Sequence, residues 1–456
     1  PSIGLHPRDM GRVIDVMRRL RDAGNTLVVV EHDPQIMFAA DRILDMGPGP
    51  GERGGEIVFF GPAQQLWAQS SLTADYLSGR RRAAEPHEPE PPARFLELCG
   101  AAEHNLKNLD VRVPLQRMVC VTGVSGSGKS TLIQDVLYPA LCKAKGRPTE
   151  APGAHRALRG AEAVSAAVLV DQSPIGKTTR SNPASYVGAF DEIRDLFARL
   201  PAAKERGYKP GTFSFNSGNG RCPSCSGNGF EHVEMQFLSD VYLRCPDCDG
   251  RRFRQEILEV MIKERSIADV LDMTVAQAAA FFSASDEVKR RLKPLADVGL
   301  EYLKLGQPVP TLSGGEAQRL KLAGYLAEAK IGSDPILFLF DEPTTGLHFD
   351  DVRKLLGAFR QLLGAGHSLV VIEHNLDVIR AADWVVDLGP EGGEAGVVAL
   401  GAGGDGRKVQ WADQEQTTVW AATAANQAGD FILSTAGQIM AGRRSRNPRH
   451  EHPGRK

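Results

Sequence analysis

The stretch Gly123-Val124-Ser125-Gly126-Ser127-Gly128-Lys129-Ser130-Thr131 decides the fold. An apolar run, Arg117–Thr122, precedes it and predicts a strand, and Thr131–Leu137 after it predicts a helix. The glycines let the backbone curl so that its N–H groups and the helix N-terminus face phosphate oxygens. We therefore predict a P-loop, in which Lys129 reaches the β- and γ-phosphates and the Ser130 hydroxyl binds Mg²⁺. The predicted nucleotide contacts are Gly123, Ser125, Gly126, Gly128, Lys129, Ser130 and Thr131.

Two adjacent carboxylates follow a second apolar run, Ile336–Phe340. A buried strand would deliver Asp341 and Glu342 to the carboxyl edge of the sheet, where the P-loop also opens. We expect Asp341 to hold the Mg²⁺ shell and Glu342 to orient or deprotonate the attacking water. Without the P-loop, the same pattern would indicate only a strand that reaches a solvated turn.

The segment Leu312-Ser313-Gly314-Gly315-Glu316 opens a helix. Ser313 is a suitable N-cap, and Glu316 three residues later completes a capping box. One interpretation is simply a well-capped helix. The other is a second anion site at a helix N-terminus, formed by Ser313, Gly314 and Gly315.

Four of the seven cysteines form two Cys-x-x-Cys pairs, Cys222/Cys225 and Cys245/Cys248, with 19 residues between the pairs. This spacing is typical of a four-thiolate zinc site, which has no open position and is structural. Gly227, Gly229 and Gly250 would supply the tight turns. Free cysteines, disulfides or an iron–sulfur centre are the weaker alternatives.

An internal repeat with an offset of 342 residues relates two segments of the chain. The segment from Gly4 to Pro48 matches that from Gly346 to Pro390, including Glu31-His32 against Glu373-His374. Each copy predicts a helix, a glycine turn and a buried strand, the strand being Leu27–Val30 in the first copy and Leu369–Ile372 in the second. We expect a duplicated α/β unit.

Composition and charge limit the remaining possibilities. The 456 residues carry 54 Lys and Arg against 56 Asp and Glu, a formal charge of −2, so a nucleic-acid surface must be a local patch. No uninterrupted apolar run reaches 18 residues, so no membrane helix is expected. Between the P-loop and Leu312, the basic residues Lys177, Arg180, Arg206 and Arg221 are candidate phosphate contacts, with Arg251, Arg252 and Arg254 beyond the last cysteine pair. Solvated surface charge is the alternative.

These motifs occur in the order P-loop, Gln172, Leu-Ser-Gly-Gly-Glu, Asp341-Glu342 and His374, which resembles ABC ATPases. Runs such as Arg180-Ser-Asn-Pro-Ala-Ser-Tyr186 and Asp341-Glu-Pro-Thr-Thr-Gly-Leu-His348 resemble the UvrA branch of that superfamily. The resemblance implies ATP, Mg²⁺ and Zn²⁺ as cofactors, and catalytic roles for Glu342, His374 and Gln172. It also implies a cytoplasmic homodimer that recognises damaged double-stranded DNA and loads a UvrB-like helicase for nucleotide excision repair, without a membrane partner.

The same resemblance divides the chain into segments. Residues 1–79 match the C-terminal part of a first ABC unit, 80–93 form a charged, Pro-rich linker, and 94–401 form a second unit. Within that unit we expect a zinc-binding insertion at about 173–260 and a helical signature region at about 261–335. Residues 402–456 depart from the family and are expected to be disordered, and a fragment or frameshift would explain both ends.

Other functions remain open at this stage. The chain also resembles shortened UvrA-like paralogues, some of them linked to resistance against DNA-binding drugs. Because the first unit's P-loop and signature are missing, we expect the chain alone to bind ATP and to hydrolyse it poorly. A zinc- and DNA-binding fragment without hydrolysis is a further alternative, and the ATPase subunit of a membrane transporter is disfavoured by the cysteine insertion.

Overall fold

The computed structural model describes residues 1–409 except 3, 6, 85–90, 176–179, 234–240, 330–331, 333, 391–396 and 404–407. Helices and strands both occur along this range, with runs of consecutive helices at Pro183–Phe213 and Ile267–Glu328. The longer helices are Pro7–Asp22, Ala189–Arg199, Asp286–Asp297, Gly314–Glu328 and Phe349–Gly364. The shorter ones are Pro34–Ala39, Ala63–Leu66, Leu72–Leu77, Thr131–Leu137 (π-helical), Tyr138–Ala144, Pro183–Tyr186, Pro201–Glu205, Gln255–Leu258, Ile267–Asp272, Val275–Phe281 and Leu376–Ala381. Single 3₁₀ turns occupy Gly51–Arg53, Ala161–Ala163, Pro210–Phe213 and Val309–Thr311.

A seven-stranded sheet forms the centre of the second unit. Its strands lie in the order Lys408–Val409, Val397–Gly403, Trp384–Pro390, Met118–Gly123, Ser368–Ile372, Ile336–Asp341 and Ala166–Val170. The last five are parallel, and the first two add an antiparallel edge. The sheet thus continues past Gly401, where the sequence placed the end of the unit. Most of the predicted tail, residues 410–456, lies outside the described residues.

Parallel pairing brings the functional segments to one edge of this sheet. Met118–Gly123, which we call the P-loop strand, is buried throughout and lies beside Ser368–Ile372, the switch strand. The switch strand pairs with Ile336–Asp341, the carboxylate strand, with Asp341 opposite Ile372. Because the three strands point the same way, the P-loop, Asp341-Glu342 and His374 all follow carboxyl ends at the same edge.

Smaller sheets flank the central one. A three-stranded antiparallel sheet joins Leu109–Pro114, Phe95–Ala101 and Ala157–Arg159. Hairpins pair Ile43–Gly47 with Glu56–Gly61, Phe230–Val233 with Val241–Arg244, and Met261–Ile262 with Arg265–Ser266. The second hairpin connects the two cysteine pairs, and the Arg221–Phe253 bridge closes the base of that module. Residues 80–84 and 91–93, the described part of the predicted linker, form neither helix nor strand.

The internal repeat is present in the helices. Pro7–Asp22 and Phe349–Gly364 have bounds that differ by 342 residues, and so do Pro34–Ala39 and Leu376–Ala381. The predicted first-copy strand at Leu27–Val30 is wrong, because these residues form no strand and Val28 and Val30 are 91% and 88% exposed. In the second copy, the equivalent switch strand has a neighbour on each side. A strand depends on such partners for its hydrogen bonds, and no described strand lies beside Leu27–Val30.

Within the described residues, every helix is too short or too polar to cross a lipid bilayer.

Candidate functional site

The P-loop has the backbone that its glycines predict. Gly126 and Gly128 have φ of +77° and +89°, and Gly123 has φ of +137°. A Cβ atom on Gly123 would lie 2.2 Å from the Leu388 carbonyl oxygen, so only glycine fits there. Lys129 begins the following helix, and its Nζ donates to the carbonyl oxygens of Gly123 at 3.0 Å and Val124 at 3.1 Å. The loop therefore curls around its own lysine.

The loop also has the groups that a triphosphate would use. Burial lowers the pKa of Lys129, while the nearby carboxylates of Glu342 and Asp341 oppose that shift. The buried Ser127 Oγ has no hydrogen-bond partner among the described residues. Ser130 is exposed at the start of the helix, and nothing lies within 4 Å of the Cβ position of Gly126. A cationic, donor-rich cradle with open space fits a nucleotide phosphate.

Asp341 lies at the end of the carboxylate strand, as predicted, and is half-buried. Its Oδ2 accepts a 2.6 Å hydrogen bond from Gln134 Nε2 on the P-loop helix. Burial raises the pKa of Asp341, and the nearby Asp171 carboxylate adds to the rise. A divalent cation beside this carboxylate would favour its ionised form, which fits the predicted role in holding Mg²⁺. No motif in the sequence singles out Gln134 for this contact.

Glu342 follows Asp341 in a backbone conformation that is rare for a side-chain-bearing residue, with φ of +42°. Such conformations cost about 1–3 kcal/mol and persist where the surroundings enforce them. Its amide donates to Ile372 O at 3.0 Å, and Gln172 Nε2 donates to its carbonyl oxygen at 3.4 Å. His374 Nε2 lies 3.8 Å from Glu342 Oε1. The structure thus brings together the three residues predicted as catalytic.

Two acidic groups lie near Glu342. Burial raises its pKa, and the carboxylates of Asp341 and Glu373 raise it further, against the opposing effect of Lys129. A carboxylate with a raised pKa is a better proton acceptor than an ordinary glutamate near neutral pH. The local charge thus suits Glu342 to the role of activating water.

The helix after Leu312 begins with the predicted capping box. Ser313 Oγ accepts from the Glu316 amide at 3.3 Å, and Glu316 Oε2 accepts from the Ser313 amide at 2.9 Å. The Cβ position of Gly314 lies 3.3 Å from Gln172 Oε1, and that of Gly315 lies 3.7 Å from Thr345 O. The start of this helix therefore adjoins the segments that carry Gln172 and Glu342.

Two residues that the sequence analysis missed tie the same helix to those segments. Gln318 Nε2 donates to Val170 O at 2.9 Å and to Asp341 O at 3.1 Å. Lys321 Nζ donates to Asp171 Oδ1 at 2.6 Å. The sequence signal for Gln318 was an amide residue beside the apolar Ala317 and close to Leu320, and all three side chains are buried. The contacts connect the signature helix, Gly314–Glu328, to the carboxylate strand and the Gln172 loop.

The first copy of the repeat also reaches the site. Ser125 Oγ donates to Gly4 O at 3.3 Å, and a Cβ atom on Gly4 would lie 3.4 Å from Glu342 Oε2. In the second copy, His348 lies across from His32 with ring centroids 5.8 Å apart. No local pattern predicts either contact, because 121 residues separate Ser125 from Gly4 and more than 300 separate His348 from His32.

The four paired cysteines form one buried cluster. Their sulfur atoms all lie within 4.8 Å of one another, and Cys225 Sγ and Cys248 Sγ are 3.7 Å apart. None of the seven cysteines forms a disulfide. Four sulfurs at the corners of a tetrahedron with Zn–S bonds of about 2.3 Å would be roughly 3.8 Å apart. The cluster therefore fits Zn²⁺.

The predicted DNA contacts are mostly engaged within the protein. Lys177 lies outside the described residues. Arg180 donates to Asn228 Oδ1 and Ser226 O, and Arg221 donates to Asn216 O. Arg206 pairs with Glu259 at 2.7 Å. Arg252, which the sequence grouped with possible phosphate contacts, is only 4% exposed, so that prediction is wrong.

Comparison with known proteins gives consistent relatives. The chain is 55% identical over 405 residues to UvrABC system protein A of Thermus thermophilus and 53% identical to that of Aquifex aeolicus. These alignments cover 88% of this chain and 42% and 44% of the relatives. The crystal structure of UvrA2 from Deinococcus radiodurans superposes with a TM-score of 0.78 at 46% identity, over 86% of this chain and 47% of that one. No protein-family model matches the chain.

These comparisons confirm the predicted resemblance and the ABC-type α/β fold with its cysteine module. The chain spans less than half the length of the relatives that it matches. The match alone therefore does not assign the activities of those longer proteins to this chain.

Proposed function

The chain is a relative of UvrABC system protein A, and from this relation we propose that it is an ABC-type ATPase that acts in excinuclease repair of DNA. The observation that carries the proposal is the convergence of Lys129, Asp341, Glu342 and His374 at one edge of the sheet. A lysine, a Mg²⁺-binding aspartate and a residue that orients water are the groups by which phosphoryl-transfer proteins bind and cleave a nucleoside triphosphate.

In this proposal the P-loop amides and Lys129 hold the phosphates of ATP, and Ser130 and Asp341 hold Mg²⁺. Mg²⁺ held there would neutralise charge on the phosphates. Glu342 accepts a proton from the attacking water. His374, whose Nε2 lies 3.8 Å from Glu342 Oε1, helps to place the Glu342 carboxylate. Gln172 Nε2 donates to the carbonyl oxygen of Glu342 and so supports the Glu342 backbone.

The cysteine cluster would hold structural Zn²⁺ through Cys222, Cys225, Cys245 and Cys248. We propose that the surface around this module contacts damaged double-stranded DNA through Lys177, Arg180, Arg206 and Arg221. Because Arg180, Arg206 and Arg221 already have protein partners, binding would exchange those contacts for phosphate contacts. A cytoplasmic homodimer and a UvrB-like partner are part of the same proposal.

Substitution of Lys129 tests the nucleotide site. Lys129→Ala should abolish binding of a fluorescent ATP analogue, because it removes the cation enclosed by the loop. Glu342→Gln should retain binding and lose turnover, because it removes only the proton acceptor. The control is Lys143→Ala, which changes an exposed lysine on the helix Tyr138–Ala144. Equal ATP binding by Lys129→Ala and Lys143→Ala would contradict the proposal.

Binding to DNA separates the repair function from its alternative. The sequence resemblance to shortened UvrA-like paralogues leaves a protein that acts on drug-bound DNA as a second candidate. Salt-dependent binding should be compared for intact duplex, lesion-bearing duplex and duplex carrying an intercalating drug. Preference for the lesion supports repair, preference for the drug complex supports the paralogue, and binding to none of the three overturns the DNA-binding proposal.

A further inference from the structure

Glu373 is a buried carboxylate at the end of the switch strand, immediately before His374, and is 3% exposed. Its Oε1 accepts from the Thr344 amide at 2.8 Å and from Thr344 Oγ1 at 2.5 Å. Its Oε2 accepts from the amides of His374 at 2.9 Å and Asn375 at 3.0 Å. Four donors therefore converge on one carboxylate, which matches the acceptor capacity of the ionised group.

These hydrogen bonds join the two segments that bring Glu342 and His374 together. Thr344 lies two residues after Glu342, whose φ is +42°. On the other side, the Glu342 amide is held by the Ile372 carbonyl oxygen, one residue before Glu373. The unusual backbone of Glu342 is thus fixed at both ends by adjoining residues of the switch segment.

The first copy of the repeat makes the three backbone-amide bonds of this set with the matching residues, and its Glu31 carboxylate also pairs with the terminal ammonium of Pro1 at 2.8 Å. Glu31 Oε1 accepts from the Ser2 amide at 2.6 Å, and Oε2 accepts from the amides of His32 at 3.0 Å and Asp33 at 3.3 Å. Each of these positions precedes its second-copy counterpart by 342 residues. Burying a carboxylate is unfavourable unless donors surround it, and this chain provides such donors twice.

We propose that Glu373 is a positioning residue: its carboxylate clamps Thr344 to the His374 segment and so holds Glu342 and His374 in the geometry that hydrolysis requires. We call this set of four hydrogen bonds the Glu373 clamp. The inference rests on the proposed ATPase function for its catalytic consequence, whereas the clamp itself is a property of this chain.

The chemistry of the clamp indicates which substitutions break it. Glu373→Gln keeps the shape of the side chain but turns an NH₂ group toward N–H donors, so it loses two of the four bonds. Thr344→Val keeps the volume and loses the hydroxyl donor. Thr344→Ser keeps that donor, and serine is the residue that the first copy has at this position, Ser2. Thr344→Ser is therefore the matched control variant, which should retain function.

The first measurement is ATP turnover by the 456-residue chain, followed over long incubations because slow hydrolysis is expected, with nucleotide binding measured separately. Glu373→Gln and Thr344→Val should lower kcat by about 10- to 100-fold, because catalytic groups displaced by about 1 Å lose rate on that scale. The KM for ATP should change less than threefold, because the P-loop is untouched. Thr344→Ser should retain a kcat close to that of the unaltered protein.

The second measurement is amide hydrogen exchange, which does not depend on turnover. In Glu373→Gln, the amides that face the new NH₂ group, either that of Thr344 or those of His374 and Asn375, should exchange at least tenfold faster, while those of the helix Tyr138–Ala144 should not change. Unchanged exchange at these three amides would overturn the clamp, whatever the activity. Faster exchange with an unchanged kcat per folded molecule would leave the carboxylate a purely structural role and would overturn the positioning proposal.

The two proposals fail in distinguishable ways. If the unaltered chain neither binds nor hydrolyses ATP, the proposed function fails, and hydrogen exchange still decides whether the clamp exists. If the unaltered chain hydrolyses ATP and Glu373→Gln does so equally well, the clamp has no positioning role and the proposed function stands.

Discussion

Arg252 places a positive charge inside the cysteine module. Its Nη2 donates to Gly306 O at 2.9 Å, its guanidinium lies 5.0 Å from the centre of the Phe215 ring, and its Nη1 has no hydrogen-bond partner among the described residues. Its backbone carbonyl accepts from the Cys222 amide at 2.8 Å. Four thiolates around Zn²⁺ carry two net negative charges, and a buried cation beside them offsets part of that charge.

Replacing this cation should weaken zinc binding. Arg252→Met keeps much of the apolar stem and removes the charge, so we expect zinc affinity to fall by about 10- to 100-fold, the usual effect of losing a residue that supports metal ligands. The measurement is zinc transfer to a chromogenic chelator at neutral pH. Arg251→Met is the control, because Arg251 is exposed and lies 3.9 Å from Asp269. Equal zinc retention by the two variants would contradict the prediction.

At the scale of single elements, the signature helix Gly314–Glu328 is held at its start by a capping box and along its length by Gln318 and Lys321. The helix Val275–Phe281 has a capping box of the same kind, formed by Thr274 and Gln277. The signature helix starts next to Gln172. The helix Val275–Phe281 lies in the helical region, and the hydrogen bonds of its cap reach none of the described site residues. Comparing the two helices therefore distinguishes the stabilising effect of a cap from an effect on the candidate site.

Removing each cap should therefore have equal thermal effects and different catalytic ones. Ser313→Ala and Thr274→Ala each lose an N-cap hydroxyl worth about 1 kcal/mol, so both should lower the melting temperature by about 2–4 °C. Only Ser313→Ala should also lower ATP turnover, because the first turn of its helix adjoins Gln172 and Glu342. Scanning calorimetry and a steady-state ATPase assay measure the two effects. A similar loss of turnover in both variants would contradict a specific role for the signature helix.

At the scale of the whole molecule, the two copies of the repeat meet through His348. Its Nδ1 accepts from the Asp350 amide at 3.3 Å, so Nε2 carries the proton and donates to Thr73 Oγ1 at 3.1 Å. Thr73 in turn donates to Asp45 Oδ1 at 2.8 Å. Burial, with a further contribution from His32, lowers the pKa of His348 to about 4, against the opposing effect of Asp45 and Asp350.

This contact should weaken in acid. The ordinary pKa of histidine is about 6.5, so between pH 6.5 and pH 4 the unfolded chain binds a proton that folded His348 does not. Stability should thus fall as the pH falls through this window, by up to about 3 kcal/mol from this group. Urea unfolding at pH 7.5, 6.5, 5.5 and 4.5 measures the slope, and protease cleavage within residues 1–79 locates the loss.

A substitution isolates His348 from other titrating groups. His348→Gln can donate to Thr73 and accept from Asp350 without titrating, so it should flatten the pH dependence while preserving stability near neutral pH. His104→Gln, at an exposed histidine, is the control and should keep the full slope. If both variants kept the same slope, His348 would not be the source of the acid sensitivity.

The central site was predictable because its signals are local. Nine consecutive residues give the P-loop, and an apolar run ending in Asp341-Glu342 gives the carboxylate strand. The Cys-x-x-Cys pairs predicted the cluster, since each pair spans a single turn. The Ser313 cap and the repeated helices likewise depend on hydrogen bonds and apolar periodicity within a few residues.

The sequence by itself determined the phosphate loop, the paired carboxylates, the four-sulfur cluster and the duplicated helices, because short-range geometry specifies each of them. Only the tertiary structure decided that Glu373 binds Thr344, 29 residues away, and that His348 meets Thr73 across 275 residues. It also buried Arg252 and left Leu27–Val30 without a strand. Those outcomes depend on which distant segments provide hydrogen-bond donors, charge or a neighbouring strand. A local sequence pattern does not specify these distant contacts.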